Sequence, residues 1–185
     1  MPRFEEKLAI AQQRRSSDIA LLLSPRLDRL PLPIQRYDDP FLPFSRAIIE
    51  ATQDIVCAYI FDFAAYMALA GAGARALERA IGLLDLETVK ILHGPFVGPT
   101  YSAMTERTAF DVDAITVYRK EDVDYYRTHA PYGAIQCLPA VGNAILFASD
   151  QTTIRVTGED TLFRGHGDDF AEQVRAYILT LRGHA

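Results

Sequence analysis

This chain lacks several features that mark common classes of protein, and each absence excludes a function. No apolar run approaches the roughly 18 residues of a membrane-spanning helix. Basic side chains number 19 against 24 acidic ones, and the net charge of −5 argues against a nucleic-acid-binding protein, apart from a local basic groove. The four histidines show no metal-ligand spacing, and Thr157-Gly-Glu-Asp160 resembles no metal loop. We therefore predict no membrane, nucleic-acid or metal partner and no cofactor.

Cysteine is also scarce. Cys57 and Cys137 show no Cys-x-x-Cys spacing, so we predict buried free thiols rather than a disulfide or zinc framework. The first seven residues, Met1 to Lys7, are charged and lack the apolar core of a signal peptide. Both observations favour a cytoplasmic protein.

The size and composition that remain are those of an ordinary folded domain. The chain has 185 residues, of which 49% are hydrophobic and 23% charged. A chain of this length can bury a substantial core, and we expect one domain over residues 1–185.

Strand-like and helix-like patterns alternate along the chain. Continuous apolar runs at Ile19–Leu23 and Ile55–Ile60 predict strands that are buried on both faces. Further strands are predicted at Thr88–Leu92, Ala114–Tyr118, Ala134–Pro139, Ala144–Ala148 and Thr152–Thr157. Helices are predicted at 3–15, after the proline-rich loop 24–43, and at 72–84, 101–110, 123–128 and 168–182. This order is typical of an α/β protein with a parallel sheet. It fits a barrel or a doubly wound sheet, and the short chain favours the open sheet.

Three segments in the first two thirds of the chain carry a family resemblance. The most specific is Phe44-Ser-Arg-Ala-Ile-Ile-Glu-Ala-Thr-Gln-Asp-Ile-Val-Cys-Ala-Tyr59, which continues into the helix at 74–81. The others are the N-terminal segment from Phe4 to Pro31 and Asp113-Ala-Ile-Thr-Val117 with Asp122. These segments resemble the orotidine 5′-monophosphate decarboxylases, particularly their longer bacterial form. The resemblance implies a TIM barrel, here with a shortened second half, and usually a homodimer with active sites at the dimer interface.

The charges that the family uses for catalysis are missing from the matching positions. The family's catalytic strand reads Asp-x-Lys-x-x-Asp and is followed by Ile-Gly-x-Thr, which aligns without a gap to Val97-Gly-Pro-Thr100. This alignment places Ile91 and Phe96 at the two aspartates and His93 at the lysine. A further family lysine, after Val-Cys-Ala-Tyr, corresponds to Ile60. No Asp-x-Lys-x-x-Asp occurs in the chain, so the resemblance implies a concerted loss of the catalytic charges.

His93 is the ionisable residue left at these positions. A histidine with an ordinary pKa near 6.5 can donate a proton where the family has its lysine. The alternative is a histidine at a strand end that is hydrogen-bonded to backbone. Asp62 follows the second strand and either assists His93 or caps a helix, and the cap is the commoner role at such a turn. Tyr118 is a second candidate to assist.

Ligand-binding residues are expected where the family binds ribose and phosphate. Candidates at the strand ends are Ser24, which precedes Pro25 where the family has a ribose-binding aspartate, and Thr100 and Tyr118. Arg164 and Gly165, in Phe163-Arg-Gly-His-Gly167 before the last helix, fit either a phosphate site or a surface turn. Arg119 and Lys120 are ligand contacts or solvated charges.

Three functions follow as hypotheses. The first is a decarboxylase-like protein that binds a nucleotide or another phosphorylated small molecule without efficient decarboxylation. The second is a non-catalytic dimerisation partner or structural homologue, with the aromatic residues Tyr59, Tyr66, Phe96 and Tyr101 near its interface. The third is an active or repurposed lyase of pyrimidine nucleotide metabolism that depends on His93.

Overall fold

The computed structural model describes residues 3–94, 99–129, 133–137, 145–148 and 152–182. The strands are β1 (Ile19–Leu23), β2 (Ala58–Asp62), β3 (Val89–His93), β4 (Ala114–Val117), β5 (Gly133–Cys137), β6 (Ile145–Ala148) and β7 (Thr153–Thr157). The helices are α1 (Phe4–Arg15), α2 (Phe41–Thr52), α3 (Phe63–Met67), α4 (Ala70–Ile81), α5 (Lys120–His129), α6 (Glu159–Leu162) and α7 (Phe170–Arg182). Short 3-10 helices lie at Leu27–Arg29, Ile34–Arg36 and Pro99–Thr105.

The seven strands form a closed barrel in chain order, with β7 paired to β1. Strands β1 to β5 and β7 run parallel, and β6 runs antiparallel to both of its neighbours. The resemblance is therefore a better guide than chain length, since the expected barrel is present and the open sheet is not. The shortened second half is also confirmed.

The reversal of β6 follows from short connections. Seven residues, 138–144, join β5 to β6, and four, 149–152, join β6 to β7. A parallel crossover needs a dozen or more residues, whereas antiparallel strands need only a tight turn. The chain therefore replaces the usual strand–helix repeats of this half with an antiparallel pair.

An ion pair reinforces the closure between β7 and β1. The guanidinium of Arg155 donates to both carboxylate oxygens of Asp18, at 2.7 Å each. The backbone N–H of Arg155 also donates to the carbonyl of Asp18 at 2.9 Å. Arg155 and Asp18 are therefore joined by both side-chain and backbone contacts where the pairing of β7 with β1 begins. These contacts hold the two strands in their parallel register.

Alternate strand residues divide the apolar core into two clusters. Ala58, Ile60, Val89 and Ile91 share one cluster with Leu8 of α1, and this cluster fills the barrel interior. The residues between them, such as Tyr59 and Phe61, join a second cluster under the surrounding helices. This division is expected for strands whose successive side chains point to opposite faces.

Helix α1 covers the end of the barrel where the strands begin. Phe4, Leu8 and Ala11 are its buried residues, one helical turn apart. A Cβ atom on Gly133 would lie 2.3 Å from the Phe4 ring, so only glycine at the start of β5 lets the helix approach this closely. Lys7 holds the same helix to Asp113 through an ion pair of 2.7 Å.

Aromatic stacking joins the last helix to the first half of the barrel. The ring of Phe44 on α2 stacks on Phe163 and Phe170, with centroids 5.7 and 5.8 Å apart. Arg175 on α7 also donates to the carbonyl of Ala51 at the end of α2. Helix α7 therefore occupies the place beside α2 that closes the outer layer of helices.

Several predicted boundaries need correction. The second strand begins at Ala58 rather than Ile55, because the N–H groups of Ile55 and Val56 turn back to the carbonyl of Thr52. The predicted helix at 101–110 is wrong, since Pro99–Thr105 is a 3-10 helix followed by turns. The short helices α3 and α6 were not predicted. No helix in the described part of the chain is long and apolar enough to cross a membrane.

The two tyrosines expected near a dimer interface also need correction. Tyr59 and Tyr66 are fully buried, and their hydroxyls hydrogen-bond to Thr52 at 2.7 Å and Ser45 at 2.6 Å. A side chain enclosed by its own chain is not available to a partner. Phe96 lies outside the described residues, and Tyr101 is exposed.

The first prediction concerns the helix that covers the barrel. Leu8→Ala should lower the free energy of unfolding by about 2–5 kcal/mol, because a fully buried leucine in the interior cluster leaves a cavity. Ile10→Ala on the same helix should lower it by about 0.5 kcal/mol or less, since Ile10 is 54% exposed. Urea unfolding measures both variants, and equal losses would contradict this role for α1.

Candidate functional site

The carboxyl ends of the parallel strands meet at the end of the barrel opposite α1. Asp62 and His93 are the last residues of β2 and β3, Ser24 follows β1, and Thr157 ends β7. In α/β barrels the functional groups lie at this end, on the strand ends and the loops that follow. These residues therefore define the candidate site, which we call the mouth.

Asp62 links β1, β2 and the first turn of α3. Its Oδ1 accepts from the N–H of Ala65 at 3.2 Å, so the predicted helix cap is confirmed. Its Oδ2 accepts from the hydroxyl of Ser24 at 2.9 Å. One carboxylate thus fixes the position of a hydroxyl at the mouth while it caps a helix.

His93 lies beside Asp62 and is anchored to the next strand. The two residues are register partners in the β2–β3 pairing. Nδ1 of His93 lies 2.9 Å from Oγ1 of Thr116 on β4, and the same hydroxyl accepts from the N–H of Gly94 at 3.3 Å. Thr116 therefore holds the imidazole ring in place, and sequence reasoning missed it although its alternation with Ala114 points it inward.

Burial controls the charge of His93. Removal from water lowers the pKa of its imidazole, and the nearby Asp62 carboxylate only partly opposes that shift. The ring is therefore mainly neutral near pH 7, since even an ordinary histidine pKa lies near 6.5. A neutral imidazole can accept a proton or share a hydrogen bond, but it is a weaker proton donor than a protonated one.

Two isoleucines lie immediately below these polar strand ends. Ile60 and Ile91 are register partners on β2 and β3, both fully buried in the interior cluster. Each is two residues before the polar end of its strand, so it points to the same side as Asp62 or His93. The barrel at this level is thus apolar. Phe96, the third apolar residue aligned with a catalytic charge, lies outside the described residues.

A cavity of about 750 Å³ opens at the mouth and continues along α7. Ser24, Asp62 and Arg164 line it, as do Thr157 and Thr161. The described residues of its wall include neither the catalytic candidate His93 nor five of the predicted ligand residues, which are Thr100, Tyr118, Arg119, Lys120 and Gly165. The hydroxyl groups of Thr157 at the end of β7 and Thr161 in α6 belong to no recognisable sequence motif, so the sequence alone does not indicate them.

Arg164 is positioned by aromatic and backbone contacts. Its guanidinium carbon lies 3.7 Å from the centre of the Tyr177 ring, and its Nε donates to the carbonyl of Asp160 at 2.9 Å. Gly165 has a packing role, because a Cβ atom there would lie 2.7 Å from the Cα of Phe170. The pair therefore combines a cation at the cavity with a close turn that holds it there.

The remaining ligand candidates lie at or after the end of β4 or in the 3-10 helix before it, and those after β4 are exposed at the surface. Arg119 forms an ion pair of 2.7 Å with Asp122, and its side chain is 64% exposed, as expected for a solvated charge. Lys120 begins α5 and is exposed. Tyr118 is also half exposed, and its carbonyl accepts from Gln136 at 3.2 Å. Thr100 lies in the 3-10 helix that begins at Pro99.

The loop after β1 is tied to the edge of the mouth by charge. Arg26 and Arg29 both donate to Glu159 at the start of α6, at 3.2 and 2.5 Å. This network neutralises one of the acids in the cavity wall. Within the described residues, no group of three histidine, cysteine, aspartate or glutamate side chains could hold a metal ion.

The relatives that match this chain in sequence are orotidine 5′-phosphate decarboxylases. The chain is 37% identical over 119 residues to the orotidine 5′-phosphate decarboxylase of Herpetosiphon aurantiacus, covering 62% of this chain and 44% of that protein. It is 35% identical over 120 residues to the enzyme of the same name from Thermomicrobium roseum, covering 62% and 42%. Over these residues the chain is therefore similar to orotidine 5′-phosphate decarboxylases. It spans less than half the length of these curated relatives, and no family model matches it.

Solved structures of the superfamily share the barrel. A crystal structure from Toxoplasma gondii, assigned to orotidine-monophosphate decarboxylase, matches 76% of this chain and 50% of its own with a TM-score of 0.63 and 23% identity. The Leishmania donovani OMP decarboxylase matches 76% of this chain and 56% of its own, with a TM-score of 0.59 and 16% identity. At these identities the likeness establishes the fold alone.

The second prediction concerns the pH dependence of stability. The pKa of His93 is lowered on folding, so protonation opposes folding, and the penalty develops as the pH falls from about 6.5 through the folded-state value. Above about pH 6.5 the penalty is absent. Chemical denaturation between about pH 7.5 and 5 should show that His93→Gln loses less unfolding free energy on acidification than the wild type. Parallel curves for the two proteins would contradict the lowered pKa.

Proposed function

We propose that this chain is a divergent member of the orotidine 5′-phosphate decarboxylase superfamily, that it binds a nucleotide or another phosphorylated small molecule at the mouth, and that it does not decarboxylate orotidine 5′-monophosphate efficiently. The observation that carries the proposal is the apolar pair Ile60 and Ile91 beneath Asp62 and His93. In the alignment these isoleucines occupy positions of catalytic charges, and in the barrel they are enclosed by apolar neighbours.

The loss of all the charges together has a lower energetic cost than the loss of one of them. The family reaction sets aspartates against the substrate carboxylate and uses a lysine to protonate the nascent carbanion, which favours the transition state. A lysine left in this interior without its carboxylates would cost several kcal/mol as an unpaired buried charge. Exchange of all partners for apolar groups can be neutral or stabilising. Ile60 and Ile91 are the residues expected if all the charged partners have been exchanged for apolar ones.

His93 is a poor substitute for the family lysine. Its pKa is lowered by burial, so few molecules carry the proton that the carbanion would need. Its Nδ1 is also engaged with Thr116. Both features support weak proton donation and therefore slow chemistry.

Ligand binding is supported by the groups that line the mouth. The cavity of about 750 Å³ lies within the range of about 300–1,000 Å³ that small-molecule sites occupy. Within the described residues, Arg164 has no carboxylate partner, whereas Arg155 is paired with Asp18. A guanidinium without a carboxylate is suited to bind phosphate in two hydrogen bonds. Ser24 and Thr161 add hydroxyl groups for a sugar.

A repurposed lyase activity is the second candidate. The register pairing of Asp62 with His93 supports it, because a carboxylate beside an imidazole stabilises the protonated ring during proton transfer. In that case His93 is the acid or base. Homodimerisation and a cytoplasmic location remain predictions from the resemblance and the sequence.

The third prediction tests the binding site. Uridine or orotidine monophosphate at about 100 times its Kd should stabilise the protein by about 2.7 kcal/mol, a rise of several degrees in Tm. Arg164→Gln should reduce that rise, whereas Arg46→Gln, an exposed arginine on α2, should leave it unchanged. Differential scanning fluorimetry with nucleotides and phosphosugars provides the measurement. No rise with any phosphorylated compound would contradict the proposal.

The fourth prediction tests catalysis. Wild-type protein should release little carbon dioxide from orotidine 5′-monophosphate, because Ile60 and Ile91 stand where the alignment places charges of the catalytic network. If the repurposed activity is present, His93→Ala should reduce kcat by about 100-fold or more, as expected for loss of a general acid or base. Robust turnover that is insensitive to His93→Ala would contradict both candidates.

A further inference from the structure

A second cavity lies at the opposite end of the barrel from the mouth. It has a volume of about 380 Å³ and lies between α1, the residues that precede β2, and the residues that precede β3. Ala11, Val56 and Cys57 form an apolar wall, and all three are buried. Burial raises the pKa of the Cys57 thiol to about 12, so this wall carries no charge near pH 7.

Two exposed apolar side chains lie at the edge of this cavity. Ile10 on α1 is 54% exposed and Leu86, before β3, is 70% exposed, and both line the cavity. Their position continues the apolar wall outward to solvent. A ligand with an apolar body would remove this surface from water, which favours its binding.

The side chains that line the cavity carry more positive than negative charges. Lys7 is paired with Asp113 at 2.7 Å, and Arg14 is paired with Glu87. Arg15 also lines the cavity and is partly buried, but within the described residues its side chain has no hydrogen bond or ion pair. The lining therefore has one cation in excess.

Asp54 and Asp85 interact with the charge of Arg15, but their hydrogen bonds are made with other groups. Asp54 is held by Arg175 from α7. Asp85 accepts from the N–H and the hydroxyl of Thr88, at 2.7 and 2.8 Å. A partly buried guanidinium without a carboxylate is more stable when an anion binds it, because a charged hydrogen bond replaces weaker hydration.

We propose that this cavity is a binding site for an apolar monoanion, of which a medium-chain fatty acid is the representative. The carboxylate binds Arg15, and the hydrocarbon chain lies along Ala11, Val56 and Leu86. The site is independent of the proposed function, since no residue of the mouth lines it.

Decanoate and 1-decanol form the matched pair of probes that tests the proposal, since they share a chain length and differ in charge. In the ¹⁵N-labelled 185-residue chain, decanoate should shift the amide signals of Ala11, Val56 and Leu86 in a saturable manner. The same titration should leave Ser24 and Asp62 unchanged. Decanol should bind at least about tenfold more weakly, because it lacks the charged hydrogen bond to Arg15.

Arg15→Gln supplies the second arm. This substitution should weaken the binding of decanoate by about tenfold and leave the affinity for decanol unchanged. Arg79→Gln on α4 should change the affinity for neither probe. Absence of saturable shifts, equal affinity for the two probes, or shifts confined to the mouth would overturn the proposal. The comparison of the two probes on wild-type protein tests the proposal even if the Arg15→Gln variant does not fold. Uridine monophosphate in a parallel titration reports separately on the mouth.

Discussion

The direct pairing of β7 with β1 is the constraint on which the rest of this structure depends. It closes a barrel from seven strands, although the chain replaces the last strand–helix repeats with an antiparallel pair. Arg155 and Asp18 fix the seam by side chain and backbone. Without this pairing both strands would be exposed edges, and the wall that joins Ser24, just after β1, to Thr157 of β7 would not form.

Closure also determines what the mouth can do. It brings Ser24, Asp62 and Arg164 to one cavity, while the interior below Asp62 and His93 is filled by Ile60 and Ile91. Polar groups are thus confined to the outer level of the barrel. This separation is the physical basis of the proposal that the rim recognises a ligand without the buried charges that decarboxylation requires.

The sequence predicts much of this architecture and less of the site. Buried strands such as β1, and helix α4 with its regular apolar stripe, can be read from periodicity alone, because their burial pattern is determined locally. The contact between His93 and Thr116 depends on the stagger of two strands that are paired through space, which periodicity does not specify. Likewise, Arg164 is recognisable as a cation near a glycine, but its stacking on Tyr177 depends on the packing of α7.

The central claim is that binding and decarboxylation are separated in this barrel. A ¹³C NMR experiment with carboxyl-labelled orotidine 5′-monophosphate, incubated with the protein, observes both processes in one sample. The account predicts that the carboxylate signal broadens as the ligand binds and then persists. Conversion of that signal into labelled carbon dioxide and bicarbonate, or a sharp signal unaffected by the protein, would contradict it.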